Sequence, residues 1–282
     1  MSVEVSPFEL AGAMAEGPIR TEGLARLYAA RSVGQTVAMD VDEAGPLRLR
    51  FPRIAAPGTL EAVLVNTGGG IVGGDRLQFE IEAGEGAAVA VTSQASEKIY
   101  RSAGLAAEIS VRLIASTHAQ LAWLPQETIL FDRARVTRSI DAEVVGDASL
   151  TLCEAVVFGR VAMGEAVANG LLKDRWHIRR DEKLIFADAL TLDGPISSIL
   201  ARPANARSAV ATATLIQVAP DAQSKIDAVR AALDPHTVES GASAFDNMLI
   251  ARMLANDGLA LRAAILDTLS ALGTIPPRAF LL

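Results

Sequence analysis

The chain has 282 residues, 50% hydrophobic and 21% charged, with a net charge of −7. That length and balance describe a globular protein with a sizeable core and exclude a disordered one. The acidic excess argues against the clustered Lys and Arg of a nucleic-acid surface and leaves room for a cationic partner or a metal ion.

Residues 1–20 read as a flexible N-terminal tail. They lack the basic start and continuous apolar stretch of a signal peptide, and no window of the chain approaches the roughly 18 apolar residues of a membrane span. The single cysteine, Cys153, excludes an internal disulfide framework and fits a reducing compartment, so a cytoplasmic protein is expected. Its setting, "LTLCEAVVF", predicts a small buried side chain rather than a nucleophile.

From there to residue 219 the signal is period two. "RLQFEIEA" sets Leu77, Phe79, Ile81 and Ala83 against Arg76, Gln78, Glu80 and Glu82, and "EISVRL" repeats the pattern at 108–113. "RVTRSIDAEV" follows with Val136, Ile140, Ala142 and Val144 inward, Arg138 breaking the alternation. Turn residues at 83–86, 145–148, 179–183 and 192–195 separate such runs. Many short strands with few helices between them predict a mainly β, largely antiparallel body. After it, "DAQSKIDAVRAALD", "SAFDNMLIARMLAND" and "GLALRAAILDTLSALG" carry apolar residues at helical spacing, which predicts two or three C-terminal helices over about 221–273. No internal repeat or linker is visible, so residues 21–282 read as one domain.

"NTGGGIVGGDR" contains a formal GxGxxG at Gly68, Gly70 and Gly73. A dinucleotide fingerprint needs a helix after the glycines to receive the pyrophosphate, and here Gly73-Gly74-Asp75 runs straight into an alternating strand. A phosphate loop fails as well, because no Lys-Ser or Lys-Thr pair follows. A nucleotide-dependent enzyme is therefore the weaker alternative, beside a plain all-β binding module. The histidines His118, His177 and His236 stand apart, without HxxxH or HExxH spacing, and no GxSxG elbow occurs.

"GGGIVGGDRL", "TSQASEKIYRS", "WLPQETILF", "FGR" and "MGE", in this order, resemble the urease accessory protein UreD (UreH) family, as do "GPLRLRFPR", "VESGASAFDNMLIARML" and the terminal "PPRAF". The resemblance implies an elongated, β-helix-like or sandwich-like body with a small helical part. It implies a maturation factor rather than an enzyme. Such a factor binds the urease apoprotein and, with UreF and the GTPase UreG, helps install the dinuclear nickel centre. No tightly bound cofactor is expected, only transient Ni²⁺, and neither nucleic acid nor membrane is an expected partner.

Within the matching segments, Gly68, Gly69, Gly70, Gly73, Gly74, Lys98, Tyr100, Arg101 and Arg160 are expected as a partner-binding or structural group. Acidic residues in or beside these segments, mostly among apolar neighbours, must find a partner: an Arg, backbone N–H groups, a cation or water. Arg101, Arg160 and Lys98 are the natural internal candidates. The functional reading is that Asp75, Glu127, Glu154 and Glu165 line or lie near a water-filled route for Ni²⁺, which carboxylates and water can carry weakly. The apolar arc of "MLIARMLAND" is expected to leave a surface for UreF.

Overall fold

The computed structural model describes residues 21–281 apart from 54, 55, 103, 161 and 162, so the expected tail at 1–20 lies outside the described residues. Alternation builds the first layer. Strands β1 (Glu22–Ser32), β5 (Arg76–Ala83), β8 (Ala107–Ala115), β11 (Arg135–Val144) and β13 (Gly170–Arg180) turn alternate residues inward. With edge strands β2 (Gln35–Ala44) and β14 (Lys183–Gly194) they form a seven-stranded sheet, ordered β14-β13-β11-β8-β5-β1-β2. A ten-stranded sheet faces it. Its main path contains β3 (Leu47–Arg50), β4 (Thr59–Asn66), β6 (Ala88–Gln94), β9 (Gln120–Leu124), β12 (Ser149–Phe158), β15 (Ala211–Val218), β17 (Met248–Ala255) and β16 (Glu239–Phe245). Short strands β7 (Glu97–Ile99) and β10 (Thr128–Leu130) pair beside that path.

Strand direction corrects the antiparallel expectation. Strands β1, β5, β8, β11 and β13 pair in parallel, and so do β4, β6, β9 and β12. Antiparallel pairs lie toward the ends of the sheets, as in β1–β2, β13–β14 and β15–β17. The chain crosses by a tight turn from β5 to β6, from β8 to β9 and from β11 to β12, then returns through a longer segment. A strand of the facing sheet thus does what a helix does in a βαβ unit, and successive strands of one sheet must point the same way. The result is a flattened stack of coils. Neighbouring turns are bonded to one another: Ser116 donates its N–H to Ala83 O (2.9 Å), Val145 to Ala115 O (2.9 Å) and Asp181 to Val144 O (3.1 Å). Alternation reports which face a residue takes, not strand direction, so sequence pattern alone left this open.

Two cores result. Leu27, Leu77, Ile81, Leu113, Ile140 and Leu152 fill the space between the sheets. A short helix, α1 (Ile196–Leu200), follows β14 and adds Ile196 to this core. On the outer face of the larger sheet, Cys153, Leu215 and Met253 meet Val229 and Leu233 of α2 (Ile226–Leu233) and Leu261, Ile265 and Leu269 of α3 (Gly258–Ala271). Each such side chain contributes about 1.5–3 kcal/mol of burial. Burial also pushes the Cys153 thiol above its ordinary pKa, with the Glu154 and Glu127 charges adding to the shift, as expected of an inert cysteine.

The middle predicted helix is a hairpin. Strands β16 and β17 pair antiparallel around Asp246-Asn247, whose φ values of 47° and 59° suit a tight two-residue turn. Met248 and Ile250 lean on the inter-sheet core while Leu249, Ala251 and Met253 face the helices. Burial on both faces makes a strand apolar almost throughout, which imitates a buried helix. Met248, Leu249 and Met253 are consequently buried, and of the apolar arc expected to face outward only Ile250 and Leu254 are partly accessible.

Helix α3 opens on Asp257, whose carboxylate accepts the Ala260 N–H at 3.0 Å. Replacing Asp257 with Ala is expected to cost about 1 kcal/mol, read as a lower urea midpoint with unchanged slope.

Candidate functional site

Arg138 stays in register on β11 and points between the sheets. Asp174 is its direct neighbour on β13, and Glu154 reaches it from β12 in the opposite sheet. The guanidinium donates from Nε to Asp174 Oδ1 (3.0 Å), from Nη2 to Asp174 Oδ2, and from Nη1 to Glu154 Oε2. Both tryptophans of the chain complete the cluster: Trp123 Nε1 donates to Glu154 Oε1 (2.8 Å) and Trp176 Nε1 to Asp174 Oδ1 (2.9 Å). All three charged residues are buried. One guanidinium against two carboxylates leaves an excess negative charge. Burial therefore raises the Glu154 pKa, Asp174 adds to the rise, and Arg138 and the indole oppose it. Arg138, held between carboxylates, is shifted upward despite its own burial.

Glu154 and Arg138 line a cavity of about 430 Å³ between the sheets. Its other walls come from Trp123, Gln126, the segment Ser93–Lys98 and the glycine loop at Gly69 and Gly70. That loop is positioned by a close approach. Gly70, at φ 144°, lies so near the Tyr100 ring that any Cβ would collide with it, and Tyr100 Oη donates to Gly69 O (3.1 Å). Gly73 is confined in the same way by the Ser102 side chain and Leu105 O. Tyr100 meets Phe131 edge to face (4.9 Å between centroids), and the Arg160 guanidinium stacks over the other ring at 4.4 Å. The glycines thus open strand β5 rather than a helix, which removes the requirement for a dinucleotide turn.

The expected acids separate. Glu154 alone of the four lines the cavity. Asp75 caps its own turn by accepting Thr21 N–H (3.0 Å) and Val72 N–H (2.9 Å). Glu127 forms a two-point pair with Arg262 of α3 (2.9 and 2.8 Å) and accepts the Ser96 hydroxyl. Glu165 pairs with Arg160 (2.7 and 3.2 Å), which holds its carboxyl low. Of the expected internal partners only Arg160 serves; Arg138 and Arg262 take the others. Lys98 sits on the cavity wall, Arg101 is exposed and bridges to Ala134, and Gly68 and Gly74 shape the loop ends. The histidines each meet one aspartate at separate places: His118 with Asp147, His177 with Asp141 and His236 with Asp267. No group of three or more potential ligands occurs among the described residues, and no described helix is long and apolar enough to cross a membrane.

Sequence reasoning missed Glu97. It lines the cavity, accepts Asn66 Nδ2 (3.0 Å), and is pushed up in pKa by burial against the Asn66 and Lys98 contacts. Its position, one residue before Lys98 in a matched segment, was the available signal. Asp174 was also missed, although Leu172, Asp174, Trp176 and Ile178 alternate inward as Val136, Arg138 and Ile140 do.

A flattened β-coil body, with a cavity between its sheets walled in part by the glycine loop and helices packed on the outer face of the larger sheet, defines the class of fold. The chain belongs to the UreD family of urease accessory proteins: the family model described as "UreD urease accessory protein" matches residues 21–278. A urease accessory protein UreD of Xanthobacter autotrophicus is 48% identical over 257 residues, 91% of this chain and 88% of the relative. One from a Methylobacterium species is 46% identical over 263 residues, covering 91% and 93%. One from Rhodopseudomonas palustris is 43% identical over 278 residues, covering 98% and 100%.

Two outcomes are expected at the cavity. Arg138→Met strands two buried carboxylates and costs about 3–5 kcal/mol in urea unfolding, much of it restored by adding Glu154→Gln and Asp174→Asn. Glu97 has its folded pKa above its unfolded one, so between those values the folded chain holds more protons and stability falls as pH rises. Glu97→Gln is expected to remove that part of the fall in a pH series of urea midpoints from about 4 upward, and to be the more stable protein at neutral pH.

Proposed function

We propose that this chain is a urease maturation factor that acts without catalysis of its own. It holds the urease apoprotein and, with UreF and the GTPase UreG, assists insertion of the dinuclear nickel centre. The observation that carries this reading is the family match across residues 21–278 together with relatives at 43–48% identity over nearly their whole length. The rigid contacts of Gly70, Tyr100, Phe131 and Arg160 suit a surface that must present one shape to a partner, and Tyr and Arg are favoured anchors in such surfaces.

Nickel enters the proposal as cargo. The acidic route expected along Asp75, Glu127, Glu154 and Glu165 narrows to Glu154 joined by Glu97, because the other three carboxylates lie off the cavity in a cap and in ion pairs of their own. Two carboxylates in a cavity that also holds Arg138 and Lys98 favour brief contact with a hydrated divalent ion over storage. Glu154 also holds Arg138 across the sheets, and Glu97 holds Asn66, whose Oδ1 accepts the Gly68 N–H, so variants at both are compared for activation only at matched urea midpoints.

The test is co-expression of the tagged chain with a urease operon. Urease subunits and UreF are expected to co-purify with it, and urease activity is expected to collapse when it is deleted. The double variant Glu97→Gln, Glu154→Gln is expected to keep the partners and lose most of the activation. Full urease activity without this chain overturns the maturation role, whereas full activation by the double variant overturns only the route.

A further inference from the structure

The outer face of the larger sheet carries a second, chemically distinct recess. One row of registered residues crosses five strands there: Glu61 on β4, Ala90 on β6, Ala122 on β9, Thr151 on β12 and Gln217 on β15. The two alanines leave a trough between polar ends, and residues 272–275 following α3 wall it to enclose about 300 Å³. At about 4.8 Å per strand, Glu61 and Thr151 stand roughly 14 Å apart.

The two ends differ. At the far end the polar groups satisfy one another: Lys225 Nζ donates to Gln217 Oε1 (3.0 Å) and pairs with Asp221 (3.0 Å), and Gln217 Nε2 donates to Thr151 Oγ1 (3.2 Å). At the near end Glu61 is 6% exposed, and its Oε2 is fully buried with no hydrogen-bond partner among the described residues. A buried carboxylate oxygen without a donor is costly, and a fold keeps one only where something else supplies the donor. Burial raises the Glu61 pKa, opposed by the backbone N–H and guanidinium of Arg278. Of the charged residues that line the trough, Glu61 and Asp221 outnumber Lys225 by one, while the Arg278 guanidinium acts on Glu61 from outside the lining.

We propose that this trough binds a compact organic monocation, an ammonium or guanidinium group on an aliphatic stem, with Glu61 accepting its N–H donors. The stem lies over Ala90 and Ala122, whose methyl groups leave room for it between the polar ends. A metal ion fits poorly, since one carboxylate among hydroxyl and amide groups, with Lys225 near, falls short of a coordination shell. The same head group can belong to a free small cation or to a Lys or Arg side chain of a bound protein.

The full chain is titrated calorimetrically with n-butylguanidinium, n-butylammonium, tetramethylammonium, and a short blocked peptide with one internal arginine. The expected result is saturable binding of the cations that carry N–H, none of tetramethylammonium, and a loss of about ten- to a hundredfold in Glu61→Gln. Ala122→Leu, which keeps the charge and fills the trough, is expected to abolish binding as well. Unliganded Glu61→Gln is expected to melt no lower than the parent. Tighter binding of the peptide than of butylguanidinium assigns the head group to a partner protein, and the reverse assigns it to a free cation. Equal binding by Glu61→Gln, no binding of any N–H cation, or a lower melting temperature of unliganded Glu61→Gln overturns the proposal, the last because it makes the carboxylate a structural partner of Arg278.

Discussion

Among the described residues, one buried charge network bridges the two sheets. Arg138 binds Asp174 within its own sheet and Glu154 across the gap, so sliding one sheet over the other would break charge-assisted bonds with no water to replace them. Apolar contacts between flat sheets tolerate small shifts; a guanidinium gripped from both sides does not. The backbone ladders set the register in which the coils stack, and the network adds a side-chain constraint across the gap at one coil level. The cost is desolvation of three charged groups, which hydrophobic replacements would avoid, so the arrangement gives specificity of packing more than raw stability.

The same network sets the character of the cavity beside it. Arg138 adds a cation to a cavity that Asn66, Glu97, Lys98 and Gln126 also line. With it, Glu154 is held facing an interior volume whose opposite wall is the glycine loop. The loop can come that close only because Gly70 carries no side chain against Tyr100. Sequence segments far apart, at 68–74, 93–101, 131 and 154–160, are thus one local structure. Their separation in the chain is the length of a coil, since each successive coil brings its equivalent residues to the same end of the stack.

Much of this was legible beforehand and some was not, for identifiable reasons. The alternation in "RLQFEIEA" and "EISVRL" fixed inward and outward faces correctly because the outer face of the smaller sheet is solvated. It could not give strand direction, because coils that pass from sheet to sheet leave the same alternation as hairpins. "MLIARMLAND" was misread as helical because β17 is covered on both faces, which erases its period of two. Arg138 was noticed as a break in a pattern, yet its partners on β12 and β13 became evident only once the register was known. The carboxylates were rightly expected to need partners. Which partner each took depended on helix α3 and on the return loops, whose placement no local pattern encodes.

The chain's only two tryptophans both bond to this network, Trp123 to Glu154 and Trp176 to Asp174. Indole emission in this protein therefore arises entirely beside the buried charges, and none of it comes from a distant surface. Any event that alters the charge on Glu154, whether a proton or a passing cation, acts first on the Trp123 hydrogen bond. The protein carries an intrinsic optical indicator at the wall of its own cavity, readable without a label.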